Sequence, residues 1–227
     1  MVGKMAAQVN SGQFWRALVV GLAIAPLLLA AVDSAAALPD VAQLPVCDPK
    51  VRFCVAVQLW CRADGDQIGW LTDQIAAANE RLRVVRAGVQ VVAVAELPTD
   101  QRDVQTVGQR TALGLRGAQA PMRWFVVDRL IDDTDPKQQR KGVTWRNGKQ
   151  FWVIEANSAW RWVLAHELGH VLGLPHSTEA ASIMNKTPRA WPPPWRLGYT
   201  PREQPTVRKT LARLVQSGQL QLVAPQK

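Results

Sequence analysis

The chain of 227 residues contains three histidines, His166, His170 and His176, all inside one eleven-residue stretch. Residues 166–177 read His-Glu-Leu-Gly-His-Val-Leu-Gly-Leu-Pro-His-Ser. On a helix, His166 and His170 stand one turn apart on the same face, so both imidazoles reach one ion. Glu167 follows the first histidine, where its longer side chain approaches a water on that ion without becoming a ligand. A continuing helix would carry His176 away. Gly173 solves this, because glycine readily takes the left-handed conformation that turns the chain back. Three nitrogens leave one coordination position for water, the arrangement of a catalytic rather than a structural zinc site.

The surrounding sequence predicts the elements that hold this cluster. Asn157 or Ser158 is placed to cap a helix running to about Leu172, with Gly173 at its end. Residues 150–156 read as a strand and residues 142–146 as a short edge strand, with Asn147-Gly148 as a hairpin signal between them. Residues 122–131 are apolar enough for a buried strand. Upstream, Val51, Phe53, Val55, Val57 and Leu59 alternate with more polar neighbours, the period of a strand with one face in a core. Trp70, Ile75, Ala78 and Leu82 fall near helical spacing, Gly88 is expected to stop that helix, and residues 89–95 form a second strand. Residues 98–121 read as loop with one short helix. Pro192-Pro193-Pro194 excludes regular structure, and Thr200-Pro201 opens a final helix with Val207, Leu211 and Leu214 on one face.

With 48% hydrophobic and 20% charged residues, the composition excludes a disordered, collagen-like or disulfide-dense chain. The net charge of +9 allows contact with nucleic acid or anionic surfaces, and bears on encounter rather than on fold. Lys4 and Arg16 precede an apolar run over residues 17–32, and Ala35-Ala36-Ala37 follows, the order of a cleavable secretory signal. That run is short for a hydrocarbon core of about 30 Å and is interrupted by Gly21 and Pro26. The expected organisation is a signal peptide over 1–37, a short segment over 38–50 and one catalytic-type domain over 51–227. The product is expected to be secreted or periplasmic, monomeric, and not stably inserted in a membrane. Cys47, Cys54 and Cys61 lie near the new amino terminus, and their odd number leaves at least one thiol unpaired. A strand through this region puts Cys54 and Cys61 about 20 Å apart, too far to bridge. Spacing does not decide which two pair.

His166, Glu167, His170, Gly173 and His176 match the extended zinc-binding motif of the metzincin clan of zinc endopeptidases at every defined position, and the chain resembles that clan. Ser182-Ile183-Met184-Asn185 is similar to its Met-turn, a tight turn whose methionine, here Met184, underlies the metal. Ser177 is similar to the residue found in matrixins. The resemblance implies an α/β (α+β) fold: a twisted, mostly parallel sheet with one antiparallel edge strand, an active-site helix at the cleft floor and a C-terminal helix. There are departures. With no histidine outside the motif, the second, structural zinc site of animal matrixins is not expected. Lys186 stands where astacin-like and serralysin-like enzymes carry a tyrosine ligand. The region ahead of Val51 is short for an inhibitory prodomain.

The resemblance further implies one Zn2+ held by His166, His170 and His176, with Glu167 as general base and then general acid. A protein or peptide substrate would lie along the strand at 142–146. Two other classes compete. A non-catalytic zinc-bearing binding protein has no use for Glu167. Ribosome-maturation endoribonucleases share the histidine spacing and suit a basic chain, but lack a glutamate at the place of Glu167 and work in the cytoplasm, so no nucleic-acid partner is expected. Trp160 and Trp162 are expected to pack against the sheet, and Trp191 and Trp195 to bracket a loop that shapes the pocket. Asp132, Asp133 and Asp135 read as a solvated acidic turn, with Ca2+ binding the second reading. Cys47, in Pro45-Val46-Cys47-Asp48-Pro49, has two expected fates: a disulfide with Cys54 or Cys61, or a latency ligand whose thiolate fills the open metal position.

Overall fold

Residues 122–127 and 150–156 are buried along their whole length or nearly so, which only the middle of a sheet covered on both faces can accommodate. The computed structural model describes residues 37–116, 122–187 and 191–224. The elements are β1 (Phe53–Cys61), α1 (Ile68–Leu82), β2 (Ala87–Glu96), β3 (Asp103–Val104), α2 (Val107–Gly114), β4 (Met122–Val127), β5 (Arg129–Leu130), β6 (Gly142–Asn147), β7 (Gln150–Ala156), α3 (Val163–Val171) and α4 (Gln204–Gln216). Five strands form one sheet in the order β2-β1-β4-β7-β6. All neighbours are parallel except β6, which runs antiparallel to β7 at the edge.

Alternation along the strands divides two cores. Trp124 and Val126 of β4 and Phe151 and Val153 of β7 join the core under α1, α3 and α4. Phe125, Val127, Trp152 and Ile154 point the other way, against Leu113 of α2 and Val104 and Leu130 of β3 and β5. The mostly parallel sheet, the antiparallel edge and the two helices expected around the site are all present. Three details differ. The strand expected over 122–131 breaks at Asp128, because the Arg102 carbonyl accepts from the amides of both Asp128 and Arg129 and draws β5 onto β3 as a separate ribbon. Gly88 lies inside β2 rather than stopping α1. The turn is made by Arg86 in the left-handed region at φ 58°, after a 3-10 turn at Arg83–Val85. Asn79 then joins α1 to β2, its side chain bonding both the N–H and the C=O of Val89.

The apolar run at 17–32 and most of the expected signal peptide lie outside the described residues. Among the described residues no helix is long and apolar enough to cross a membrane. The described residues form one unit by their internal contacts.

Cys47 is bonded to Cys54, with their Cα atoms 5.9 Å apart, and Cys61 is a buried free thiol that burial pushes up to about 11. This corrects the reading of Cys47 as a latency ligand. Its sulfur is already bonded, and it sits against Gly88 and Gln90 of β2. That is the opposite edge of the sheet from β6, four strand spacings or roughly 19 Å away. Alkylation of the unreduced, unfolded chain is expected to label one cysteine, Cys61, and three after reduction. Replacing Cys47 and Cys54 by serine should lower stability by roughly 2 kcal/mol, the scale for a short closed loop, in a chemical melt. Labelling of Cys47 without reduction would refute the pairing.

Candidate metal centre

The helix that carries the motif starts later than its sequence signals suggest. Residues 157–162 form turns, and Trp162 at the N-cap provides no side-chain cap. The cap comes from α1 instead. Gln74, fully buried, accepts from the Leu164 amide at 3.4 Å and donates to the Trp160 carbonyl at 2.9 Å. The Trp70 indole donates to the Ala159 carbonyl at 2.9 Å. One of the amides that every helix start leaves unpaired is thus met from another element. Leu164, Leu168 and Val171 bury one face of α3 in the core, each contributing about 1.5–3 kcal/mol.

His166 and His170 share the other side of α3. After it, Gly173 takes φ 87°, a conformation costly for any residue with a Cβ, and sends the chain back so that His176 faces them. One nitrogen from each imidazole can be chosen such that all lie within 4.8 Å of one another, and the ring centroids are 4.8–5.5 Å apart. A tetrahedral zinc with Zn–N of about 2.1 Å sets its ligands about 3.4 Å apart. The three rings therefore converge on one point and need to close by on the order of an ångström. The donor chemistry also fits. His166 Nδ1 lies 2.8 Å from the Ile183 carbonyl and His170 Nδ1 2.8 Å from the Leu174 carbonyl. A carbonyl only accepts, so each Nδ1 carries the proton and each Nε2 offers its lone pair. Burial pushes His166 down to about 4 and lowers His170 and His176 as well, so all three are neutral at pH 7.

The turn at Ser182–Asn185 lies directly beneath. Met184 is fully buried, and Gly169, one turn of α3 above it, has no Cβ because one would overlap the Met184 sulfur. The Ser182 hydroxyl donates to Glu203 Oε1 at 2.6 Å and accepts from the Met184 amide at 2.9 Å. Glu203 Oε2 takes the Thr200 amide at 2.8 Å. The Tyr199 hydroxyl donates to the Ala165 carbonyl at 2.7 Å, which makes this tyrosine a strut for α3.

Glu167 is buried beside β6. Loss of solvent raises its carboxyl to about 7, against the opposing pull of Thr144 and Arg140. The Thr144 hydroxyl is 2.9 Å from Glu167 Oε2 and 2.7 Å from the Glu167 carbonyl oxygen. One hydroxyl has one proton: when it donates to the carbonyl it can accept from a protonated carboxyl, and when the carboxyl ionises it can swing its proton there. Glu155, on β7, is buried completely. Trp124 donates to its Oε2 at 3.0 Å and its Oε1 has no hydrogen-bond partner. Burial and the charge of Glu167 hold its acid form well above the ordinary carboxylate range.

The structure thus brings together His166, His170, His176 and Glu167, whose spacing suggested it, and Met184, which the resemblance placed under them. Thr144 and Glu155 carried no signal beyond being strand residues. Asp132 and Asp133 are paired with Arg140, and Asp133 also with Arg110. Trp162 packs against the core as expected. Trp160 does not: it is 71% exposed and lines the cleft, because α3 begins after it. Across from β6, the wall after the Met-turn is tied down by Arg81, which donates to the Trp195 carbonyl at 3.0 Å. The cleft between these walls has a volume of about 1200 Å³ and holds the three histidines and Glu167.

The fold and this site resemble those of zinc metallopeptidases of metzincin type. More particularly, the family model for matrixins matches residues 123–194, about a third of the chain, from β4 through α3 and the Met-turn to the triple proline. No curated protein sequence matches the chain. Among solved structures, archaemetzincin from Methanopyrus kandleri is 14% identical with a TM-score of 0.50, over 70% of this chain and 97% of that one. That likeness bears on the fold. Metalloproteinase-II from Bacteroides fragilis is 16% identical with a TM-score of 0.49 over 73% of this chain, which spans 54% of that protein's length.

Two outcomes follow from this packing. Gly169→Ala should drive Met184 and the Ile183 carbonyl away from His166, lowering the metal-free stability by about 1–3 kcal/mol and weakening zinc in a chelator competition. An unchanged melt and unchanged competition would contradict the close approach. Glu155 binds its proton more tightly folded than unfolded, so it makes stability fall as pH rises above its ordinary 4.5. Glutamine does not titrate. The melting temperature of Glu155→Gln relative to the parent should therefore climb steadily from pH 4.5 to 8, and a pH-independent difference would refute a neutral Glu155.

Proposed function

We propose that the protein is an exported zinc endopeptidase that cleaves internal peptide bonds. The observation that carries this reading is that Glu167, next to His166 on α3 and bonded to Thr144 of edge strand β6, lines the same cleft as the three converging histidines. His166, His170 and His176 would hold the zinc, and Met184 would support it from below without ligating. When bound, zinc supplies Lewis acidity, which acidifies water and polarises a carbonyl.

The protein's own groups do the rest. A substrate strand pairs with the free edge of β6 through main-chain hydrogen bonds, which fixes the carbonyl to be attacked at the histidines. Glu167, whose ordinary acidity is weakened by burial, is poised to accept a proton from the attacking water and pass it to the departing amine. Thr144 follows the charge of Glu167 by turning its hydroxyl between the two oxygens it already touches. Because Thr144 lies on β6, the strand that receives the substrate also holds the base. Export follows from the charged, apolar and small-residue order at the amino terminus, and suits a disulfide between Cys47 and Cys54.

Purified protein is expected to contain one zinc and to cleave an unfolded protein at internal bonds. Chelation should abolish cleavage and added zinc restore it. Glu167→Gln should retain the metal while turnover falls by about a hundredfold or more. The kcat/KM of the parent should fall in acid with a midpoint below 7, because a nearby dication favours the carboxylate form of Glu167 over its metal-free value of about 7. Cleavage that survives complete metal removal, or full turnover in Glu167→Gln with zinc retained, would refute the assignment.

A further inference from the structure

Among the described residues, the ionisable side chains lining the cleft besides the histidines are Glu167 and five cations: Arg140, Lys141, Arg146, Lys186 and Arg213. Arg140 is paired with Asp132 at 3.0 Å and Asp133 at 3.2 Å. The other four have no ion pair among the described residues. Two are nonetheless held in place by neutral acceptors. Lys141 Nζ donates to Ser158 Oγ at 3.1 Å, and Arg146 Nε donates to the Gly148 carbonyl at 2.8 Å. They are positioned without being neutralised. Like charges gathered in a concave site repel one another, and a bound dication adds to the same sign. A cleft of this kind focuses a positive potential that draws anionic ligands in.

Their placement says more than their number. Lys141 immediately precedes β6 and Arg146 stands near its far end, five residues on, or about 17 Å along an extended strand. A peptide added alongside β6 rises at the same pitch, so acidic side chains toward the two ends of the paired segment approach one cation each. Lys186 follows the Met-turn and Arg213 projects from α4, so elements other than β6 bring the same sign to the cleft. The cleft also contains Phe151, Val171 and Leu214, an apolar recess. A free strand edge and an apolar recess match a polypeptide. A phosphodiester chain has no amides to pair with β6.

We propose that the cleft selects extended peptide segments bearing aspartate or glutamate on both sides of the cleaved bond, with Lys141 and Arg146 as the receiving cations along β6. This rests on the peptidase reading above. The test uses three peptides with one apolar centre and flanks of glutamate, glutamine or lysine. Binding is measured by fluorescence anisotropy to zinc-loaded Glu167→Gln protein, and cleavage by the zinc-loaded parent, each at low and high ionic strength. The glutamate-flanked peptide should bind and be cleaved about tenfold better than the glutamine one at low salt, with the lysine one last and the gap shrinking as salt screens it. Lys141→Glu combined with Arg146→Glu, both at solvent-accessible positions, should reverse the order of the glutamate and lysine peptides. Equal binding of all three, or an order unchanged in the double variant, would overturn the proposal. So would tighter binding of a single-stranded RNA of equal charge. Glutamate-selective binding with no peptide cleaved would uphold the selectivity and overturn the peptidase reading instead.

Discussion

A metal site of three imidazoles requires each ring to be neutral and each lone pair to aim at one point; here burial favours the neutral rings and the main chain orients two of them. The Ile183 and Leu174 carbonyls each take an Nδ1 proton, which fixes the tautomer and the rotation of His166 and His170 together. Neither carbonyl belongs to α3. One comes from the turn that holds Met184, the other from the chain leaving Gly173. The ligand set therefore depends on two loops closing correctly against the helix, and the packing around them serves that closure. Gly169 lets Met184 come close, Glu203 gathers the Ser182 hydroxyl and the Thr200 amide, and Tyr199 reaches back to α3.

Much of this was legible from residue types and spacing. The histidine triad follows from one helical turn plus a glycine exit. The edge strand at 142–147 followed from its position between an acidic turn and a hairpin signal, and Val207, Leu211 and Leu214 from helical periodicity. What escaped has a common physical origin, namely partners distant in sequence. The start of α3 is set by Gln74, ninety residues before the amide it caps, so the local cap signals at Asn157 and Ser158 pointed too early. The end of β4 is set by the Arg102 carbonyl, which no local propensity registers. Cys47 illustrates the same limit: three clustered cysteines left the pairing open, and it was settled by which strand edge the amino-terminal segment lies on.

The buried acids show how the fold uses a low-dielectric interior for opposite ends. Glu167 and Glu155 both lose solvent, but only Glu167 has a hydroxyl beside it that can answer either protonation state. Glu155 has the Trp124 indole on one oxygen and nothing on the other; the indole favours the charged form, but burial and the charge of Glu167 outweigh it and favour a neutral acid behind Glu167. Outside, the balance reverses: of the five cations lining the cleft, four have no ion pair among the described residues. A single ionisable carboxylate among the described lining residues of a positive basin is a setting that favours proton release and, separately, the attraction of anionic chains.

The capping of α3 by Gln74 has a further consequence for motion. An ordinary helix frays from its ends, each terminal turn opening on its own at little cost. The first turn of α3 cannot do so, because releasing the Leu164 amide also strips a fully buried glutamine of its acceptors and donors. Local opening there is coupled to loosening of α1 against the sheet. Amide exchange at the start of α3 should then proceed through the same sub-global opening as exchange in α1, so that the histidine-bearing helix and the helix behind it behave as a single cooperative unit rather than as a stable core with a breathing site.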